Sequence, residues 1–311
     1  MRSTHQQIAT EQPLKGLRLV VCGFELEQRE HRGIAVFSKG LLRSLKQAGA
    51  EVWLLSEVAP PMHDMLSRAW LPREVRRTVF TARLLDQLNN GKSRFIVDSA
   101  LKRLLRSVPV LGRVLGLLER IQDLNQTPFP RRRIHSNQLT QIPANQLLGS
   151  PYQRCERLAY LRDIDGVICA SNCFRDSFQL ARKRANQTMQ IDLNGFDGFI
   201  TTSPLNLQPL NTPLFLQTVH DLIPLEYGRT LDHIPSFSRR LLATTNARRI
   251  YVSEDAKQKF NSSLLSAGTN THIDTPTRVL TQPPSLQFPG DSLDWEARSR
   301  DLRVLSSDKQ Q

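Results

Sequence analysis

Short apolar runs alternate along this chain with longer segments in which apolar residues recur every three or four positions. Residues 17–24 form the first apolar run and predict a buried strand. Residues 33–48 carry apolar side chains at helical spacing, and Gly49 follows where a left-handed helix cap is expected. The run 51–56 predicts a second strand. Together these segments predict a βαβ unit with two parallel neighbouring strands.

Further apolar runs with the same character occur in the second half of the chain. They cover residues 165–170, 198–202, 214–219 and 249–253, and helical or loop segments separate most of them. At least six mostly parallel strands are therefore predicted. The expected fold class is α/β, a Rossmann-like and mostly parallel sheet flanked by helices.

The pattern also predicts how the chain is divided. Residues 1–15 form a polar N-terminal segment, residues 16–284 form the Rossmann-like domain, and residues 285–311 are expected to be a polar, disordered tail. A helical insertion is predicted at about 61–160. Within it, 125–151 is expected to be an irregular surface connection, with Arg131, Arg132 and Arg133 in solvent.

One part of the insertion, residues 101–121, is both amphipathic and basic. Its leucines fall three or four residues apart beside several arginines, and Pro109 is expected to divide it into two helices. Two interpretations stay open. The apolar stripe packs on its own domain, or the helices bind peripherally to the inner face of an anionic membrane.

Charge and composition narrow the class of partner. The formal net charge is +13, which favours acidic partners. Aromatic residues make up only 6% of the chain, and no recognised motif accompanies the basic residues, so nucleic acid is not expected as a partner. No apolar stretch approaches the ~20 residues that cross a bilayer, and no secretory signal is present, so we expect a cytoplasmic protein.

The cysteines give no sign of a metal site. Cys22, Cys155, Cys169 and Cys173 lack paired Cys-x-x-Cys spacing, so no metal is predicted. We expect them to be reduced and mostly buried thiols.

His220 and Asp221 are the strongest candidates for chemistry, because they follow the apolar run 214–219 directly. Ligands of open α/β sheets collect outside the carboxyl ends of the strands. The two side chains are adjacent and therefore diverge, which makes separate contacts more plausible than a catalytic His-Asp pair. A histidine at this place can bind a sugar hydroxyl, whereas a purely structural role for His220 is the alternative.

Two further places could contact a ligand. The loop that ends in Arg32, Gly33 and Ile34 leads into a predicted helix, whose N-terminal N–H groups favour an anion. Neither Gly-x-Gly-x-x-Gly nor Walker spacing is present, and Gly33 could simply fit the turn. Ser253 and Glu254 follow another predicted strand, where Ser253 is expected to cap a helix rather than to act as a nucleophile.

Four segments in this order resemble the N-terminal half of GT-B glycosyltransferases of the group 1 type. They are residues 32–37 leading to Leu41 and Leu42, then residues 218–225, 249–254 and 279–284. The resemblance implies an acceptor-binding domain that works with a second Rossmann-like domain, which binds the nucleotide sugar. It also implies transfer with retention at the cleft between the two domains.

Carried over by residue, the resemblance makes Gly33, with Ile34, part of the loop that approaches the donor diphosphate. It puts His220 near the transferred sugar, with Asp221 beside it, and Arg32, Ser253 and Glu254 in the cleft. The expected donor is a UDP- or GDP-sugar, with no tightly bound cofactor, and the expected acceptor is a sugar or glycan. The single glycine at Gly33 departs from the commoner double-glycine form of the loop.

The resemblance also implies a donor domain after residue 284, where only 27 residues remain. Typical domains need ~50 residues or more, so this chain is expected to lack the donor half. A separate chain that supplies the donor domain is the expected partner, and the lone chain is expected to be inactive without it. The alternative is a non-catalytic binding or regulatory module.

Overall fold

A computed structural model describes residues 12–28, 31, 33–58, 72–90, 130–148, 156–183, 187–220, 222, 225, 234–243, 247–262 and 277–280. All of them lie in one compact unit, residues 1–281. Residues 282–311 are a separate unit, and they lie outside the described residues together with most of the predicted N-terminal segment.

The described residues form eleven strands, six α-helices and three 3₁₀ helices. The strands are β1 (Arg18–Cys22), β2 (Glu51–Ser56), β3 (Arg133–Ile134), β4 (Thr140–Pro143), β5 (Gly166–Cys169), β6 (Met189–Asp192), β7 (Gly198–Thr201), β8 (Leu207–Leu210), β9 (Leu214–Val219), β10 (Arg248–Tyr251) and β11 (Thr277–Val279). The α-helices are α1 (Gly33–Gln47), α2 (Arg73–Asn90), α3 (Ala144–Leu148), α4 (Cys173–Lys183), α5 (Ile234–Leu242) and α6 (Glu254–Phe260). The 3₁₀ helices are η1 (Phe24–Glu27), η2 (Ser136–Gln138) and η3 (Glu156–Asp163).

Eight strands form the main sheet, in the order β11-β10-β9-β7-β1-β2-β5-β4. Every neighbouring pair is parallel except β4 and β5, which are antiparallel. The central strands are buried on both faces, which is why they read as continuous apolar runs in the sequence. The predicted α/β class with a mostly parallel sheet is confirmed.

The helices divide between the two faces of this sheet. On the first face, α1 and α2 pack through Leu42, Leu84 and Leu88 against strand residues such as Val21 and Leu54. We call this the α1 face. On the opposite face, which we call the α4 face, α4 packs through Phe174 against β1, β2, β5, β7 and β9. This two-sided cover is what makes the parallel arrangement stable.

A second, three-stranded parallel sheet covers part of the α4 face, in the order β3-β6-β8. Its buried side chains, Ile134, Met189, Ile191 and Leu207, belong to the same apolar cluster as Phe174. The sequence analysis did not predict β6 and β8. Every second residue of these strands is only half buried, so they lack a continuous apolar run.

The expectation of an irregular connection over 125–151 is wrong for residues 130–148. This segment contributes β3 to the second sheet and the antiparallel edge strand β4 to the main sheet. Both strands are short and each buries only one isoleucine, Ile134 or Ile142, so the apolar signal was too weak. Arg131 is also not simply solvated, because its guanidinium binds the Asp176 carboxylate at 2.9 Å and the Ser171 carbonyl.

The structure also bears on the predicted helix cap at Gly49 and on the predicted helical insertion. The left-handed conformation expected at Gly49 is confirmed, with φ of +93°. Within the predicted helical insertion, the described residues form α2 and then the strands and short helices after residue 130. The basic amphipathic stretch 101–121 lies outside the described residues.

The amino edge of the main sheet, where its parallel strands begin, is held by carboxylates that accept hydrogen bonds. The Asp197 carboxylate accepts from the Arg18 N–H at 2.8 Å, and the Asp165 carboxylate accepts from the Val52 N–H at 2.8 Å. Lys46 also forms an ion pair with Asp165. These bonds satisfy the backbone donors of Arg18, the first residue of β1, and of Val52, the second residue of β2.

Candidate functional site

The carboxyl edge of the main sheet, where the parallel strands end, contains a topological switch point between β1 and β7. From β1 the chain proceeds to β2 on one side, whereas from β7 it proceeds by way of β8 to β9 on the other. Loops that leave adjacent strands in opposite directions open a crevice, and this is where ligands of doubly wound sheets bind. The crevice lies between the segments that follow Cys22 and Thr201.

Helix α1 begins above this crevice, at Gly33. Gly33 is exposed, and a Cβ atom built on it would meet no described atom within 4 Å. The packing of the described residues therefore does not require a glycine here. The first turn of α1 carries no acidic residue, so its N–H groups and the helix dipole favour an anion.

His220 follows β9 at the same edge and contacts α1. Its ring meets the Phe37 ring edge to face, with 4.7 Å between ring centroids. Phe37 lies one helical turn after Gly33, so His220 lies close to the start of α1. Side chains two residues apart along a strand point to the same face of the sheet. Leu216 of β9 packs on the α1 face, so His220, four residues later, also points toward α1.

The segment after β7 adds two hydroxyl groups that the sequence analysis did not single out. Thr202 is fully buried and Ser203 is 5% exposed, and neither side-chain oxygen has a hydrogen-bond partner among the described residues. Such groups are costly when buried. The available sequence signal was a pair of hydroxyl residues at the end of the predicted strand 198–202, with Thr202 as its last residue and Ser203 directly after it.

Two buried glutamates also lie at the carboxyl edge, and the sequence analysis missed them as well. Glu27, 1% exposed, follows β1 and accepts a hydrogen bond from the Glu57 N–H at 2.9 Å. Glu57, 7% exposed, follows β2 and accepts from the Arg175 N–H at 2.8 Å. The two carboxylates therefore link the loops after β1 and β2 to the start of α4. The sequence signal for both was their place after an apolar run, since Glu57 directly follows residues 51–56 and Glu27 lies three residues after residues 17–24.

A third group near Glu27 is the Tyr160 hydroxyl of η3. Tyr160 is 2% exposed, and its hydroxyl has no hydrogen-bond partner among the described residues. Burial raises the pKa of the Tyr160 phenol, and the negative charge of Glu27 raises it further. Arg157, also in η3, donates hydrogen bonds to the carbonyl oxygens of Leu88 and Gln28 and so ties η3 to α2 and η1.

His31 lies beside Tyr160, with 6.5 Å between ring centroids, and its Nε2 is 3.0 Å from the Leu26 carbonyl oxygen. Burial lowers the pKa of His31 to about 4, and the positive charges of Lys39 and Arg157 act in the same direction. The hydrogen bond with Leu26 opposes this change. His31 is therefore a neutral imidazole near pH 7, able to donate and accept hydrogen bonds.

The remaining predicted site residues have modest roles or lie outside the described residues. Ser253 caps α6, as expected, and its hydroxyl oxygen accepts from the Ala256 N–H at 3.1 Å. Glu254 is exposed and pairs with Lys257 at 3.5 Å. Ile34 accepts a hydrogen bond from the Ser38 hydroxyl through its carbonyl oxygen. Arg32 and Asp221 lie outside the described residues.

The cysteines that the structure describes are buried thiols. Cys22, Cys169 and Cys173 form no disulfide, and burial raises the pKa of Cys22 and of Cys169. Such thiols are poor nucleophiles. Among the residues with described positions, no group of three or more His, Cys, Asp or Glu side chains could hold a metal ion.

The helices of the described ranges include none that is both long and apolar enough to cross a membrane.

The site therefore combines a helix N-terminus, an imidazole and buried hydroxyl groups on one edge of a doubly wound sheet. Comparison with known proteins found no matching family model, no matching curated protein and no matching solved structure.

Proposed function

We propose that this chain is the acceptor-binding half of a retaining, GT-B type glycosyltransferase. In this proposal a sugar or glycan acceptor binds at the carboxyl edge of the main sheet. A donor domain brings a UDP- or GDP-sugar against the same edge. The proposal extends the confirmed α/β architecture to a specific class of transferase.

The observation that carries the proposal is the contact between His220 and Phe37. The resemblance requires the loop at Gly33 and the histidine at 220 to act on one ligand, although 186 residues separate them in the sequence. The edge-to-face contact at 4.7 Å keeps the imidazole within about one helical turn of Gly33. Had the two residues been on opposite edges of the sheet, they could not share a ligand.

The chemistry of the edge also favours this function. Sugar hydroxyls both donate and accept hydrogen bonds, and imidazole and hydroxyl side chains match them in both respects. The diphosphate of a nucleotide sugar suits the start of α1, where Gly33 is exposed and no acidic residue stands in the first turn. The chain's own residues would thus orient the acceptor and contribute N–H groups to the leaving diphosphate.

The first test measures sugar binding. Ligand-observed NMR should detect binding of at least one methyl hexoside from a panel of glucoside, mannoside and galactoside. His220→Ala should weaken that binding about tenfold, since it removes a hydrogen-bonding group from the site. His135→Ala, which changes an exposed histidine in η2's N-cap position, is the matched control and should bind as the unmodified chain does. Equal binding by both variants would refute the role of His220.

The second test addresses the diphosphate. Inorganic pyrophosphate should bind at the start of α1, and Gly33→Ala should weaken it about tenfold by blocking close approach to the backbone. The variant should keep its thermal stability, since the added methyl group has open space. Pyrophosphate binding that is unaffected by Gly33→Ala would remove the donor-phosphate loop from the proposal.

A further inference from the structure

Besides the Tyr160 phenol, three buried serine and threonine hydroxyl groups lack a hydrogen-bond partner among the described residues, and they lie at different places in the fold. Thr202 and Ser203 follow β7 at the carboxyl edge, whereas Ser177 lies in α4. All three side chains are buried, with exposures of 0%, 5% and 0% respectively. A buried hydroxyl without a partner destabilises the fold, so each calls for a physical reason.

Alternation along β7 assigns Thr202 to the α1 face of the sheet. Phe199 packs on the α4 face and Ile200 on the α1 face. Thr201 therefore points to the α4 face, and Thr202 follows on the α1 face. The same alternation, extended one residue beyond β9, places His220 on the α1 face, where its ring meets Phe37.

Register then brings Thr202 and His220 close together. Thr201 of β7 is paired with Gln217 of β9, so Thr202 is level with Thr218, two residues before His220. Adjacent strands are ~4.8 Å apart and residues rise ~3.3 Å each, which gives about 8 Å between the two Cα atoms. Side chains that point to the same face at this separation can both reach one sugar ring.

The chemistry of the pair favours a neutral, hydroxyl-rich ligand. The threonine hydroxyl donates one hydrogen bond and accepts others, and the ring nitrogens of an imidazole can also donate or accept. Phosphate oxygens at neutral pH mainly accept hydrogen bonds, so a phosphate would pair with the donors of Thr202 and His220 but not with their acceptors. Sugar hydroxyls both donate and accept hydrogen bonds, and they would satisfy the Thr202 oxygen, which has no partner among the described residues.

We propose that Thr202 binds the acceptor sugar directly and that, with His220, it holds two hydroxyl groups of one sugar ring. This inference rests on the proposed function and adds to it the residue that the family resemblance does not supply. Ser177 serves no such role, because it lies in α4 on the opposite face of the sheet.

The test compares three variants of the full chain. Thr202→Val removes the hydroxyl and keeps the shape, Thr202→Ser keeps the hydroxyl, and Ser177→Ala removes an equally buried hydroxyl on the other face. Binding of the methyl hexosides is measured by ligand-observed NMR, and thermal unfolding is recorded for each variant. We expect Thr202→Val to bind about tenfold more weakly while unfolding at the same or a higher temperature. Thr202→Ser and Ser177→Ala should bind as the unmodified chain does.

The outcomes separate this inference from the function on which it rests. If the unmodified chain binds a hexoside and Thr202→Val binds it equally well, Thr202 is no ligand contact and the inference fails, while the proposed function survives. A similar loss in Ser177→Ala would also overturn it, because the effect would then come from the interior packing. If the unmodified chain binds none of the hexosides, both the inference and the proposed function fail.

Discussion

The two edges of the main sheet differ in how they satisfy their polar groups. At the amino edge, Asp197 accepts a hydrogen bond from the Arg18 N–H of β1 and Asp165 accepts one from the Val52 N–H of β2. Glu51 accepts from both the Arg18 guanidinium and the Trp53 indole. At the carboxyl edge, the hydroxyls of Thr202 and Ser203 are buried without a partner among the described residues.

This difference separates polar groups that stabilise the fold from polar groups that contribute little to its stability. Charged hydrogen bonds to backbone donors lock the amino edge, so substitutions there should change stability and leave binding alone. Hydroxyls without partners among the described residues give the carboxyl edge little stability, so removing the Thr202 hydroxyl should change binding and leave stability alone. The following predictions test this division, from the largest expected effect to the smallest.

Asp165→Ala should produce the largest loss of stability at the amino edge. It leaves the Val52 N–H without its acceptor and removes the ion pair with Lys46, so we expect the free energy of unfolding to fall by about 2 kcal/mol. Urea denaturation measures this, and Asp163→Ala is the control. Asp163 forms only a partly exposed pair with Arg43 at 3.5 Å, worth less than about 1 kcal/mol.

Hexoside binding by Asp165→Ala should match that of the unmodified chain. A folded Asp165→Ala protein that no longer binds would show that the amino edge also shapes the site, and the division between the edges would be wrong.

Acid should lower the free energy of unfolding through His31, which lies at the carboxyl edge. Its pKa falls to about 4 in the folded chain, against 6.5 for an ordinary histidine, mainly because burial disfavours the charged ring. Between pH 6.5 and 4 the unfolded chain binds a proton that the folded chain does not, so stability decreases as pH falls through this range. His31→Gln should reduce this dependence, as seen in urea midpoints measured at pH 7, 5.5 and 4.5.

The control is His135→Gln, because His135 is exposed. If the urea midpoint of His31→Gln depends on pH as steeply as that of the unmodified chain, other groups produce the acid sensitivity.

Tyr160→Phe should have the smallest effect, and in the opposite direction. Removing a buried hydroxyl without a partner should leave the free energy of unfolding unchanged or raise it by up to about 1 kcal/mol. Tyr160→Ala should instead lower it by about 3 kcal/mol, because it also removes the ring from the apolar cluster on the α1 face. Denaturation of both variants separates the contribution of the hydroxyl to stability from that of the ring. A clear loss of stability in Tyr160→Phe would mean that the hydroxyl is hydrogen-bonded.

The sequence allowed correct prediction of those elements whose apolar pattern is strong. Strands β1 and β2 are nearly continuous apolar runs because both of their faces are buried, and Ser253 was predicted as a helix cap from local chemistry alone. Strands β6 and β8 lacked such a pattern and were missed. Glu27 and Glu57 were missed because a charged residue in a sequence is ordinarily read as exposed.

By itself, the sequence determined that this protein has a mostly parallel α/β sheet and that His220 stands at a strand end. Both follow from local periodicity, which burial imposes on short segments. Only the tertiary structure decided that β9 lies next to β7, that His220 meets Phe37, and that the buried Thr202 hydroxyl finds no hydrogen-bond partner in the described part of the chain. Those facts depend on strand order and register, which are set by contacts between residues far apart in the chain.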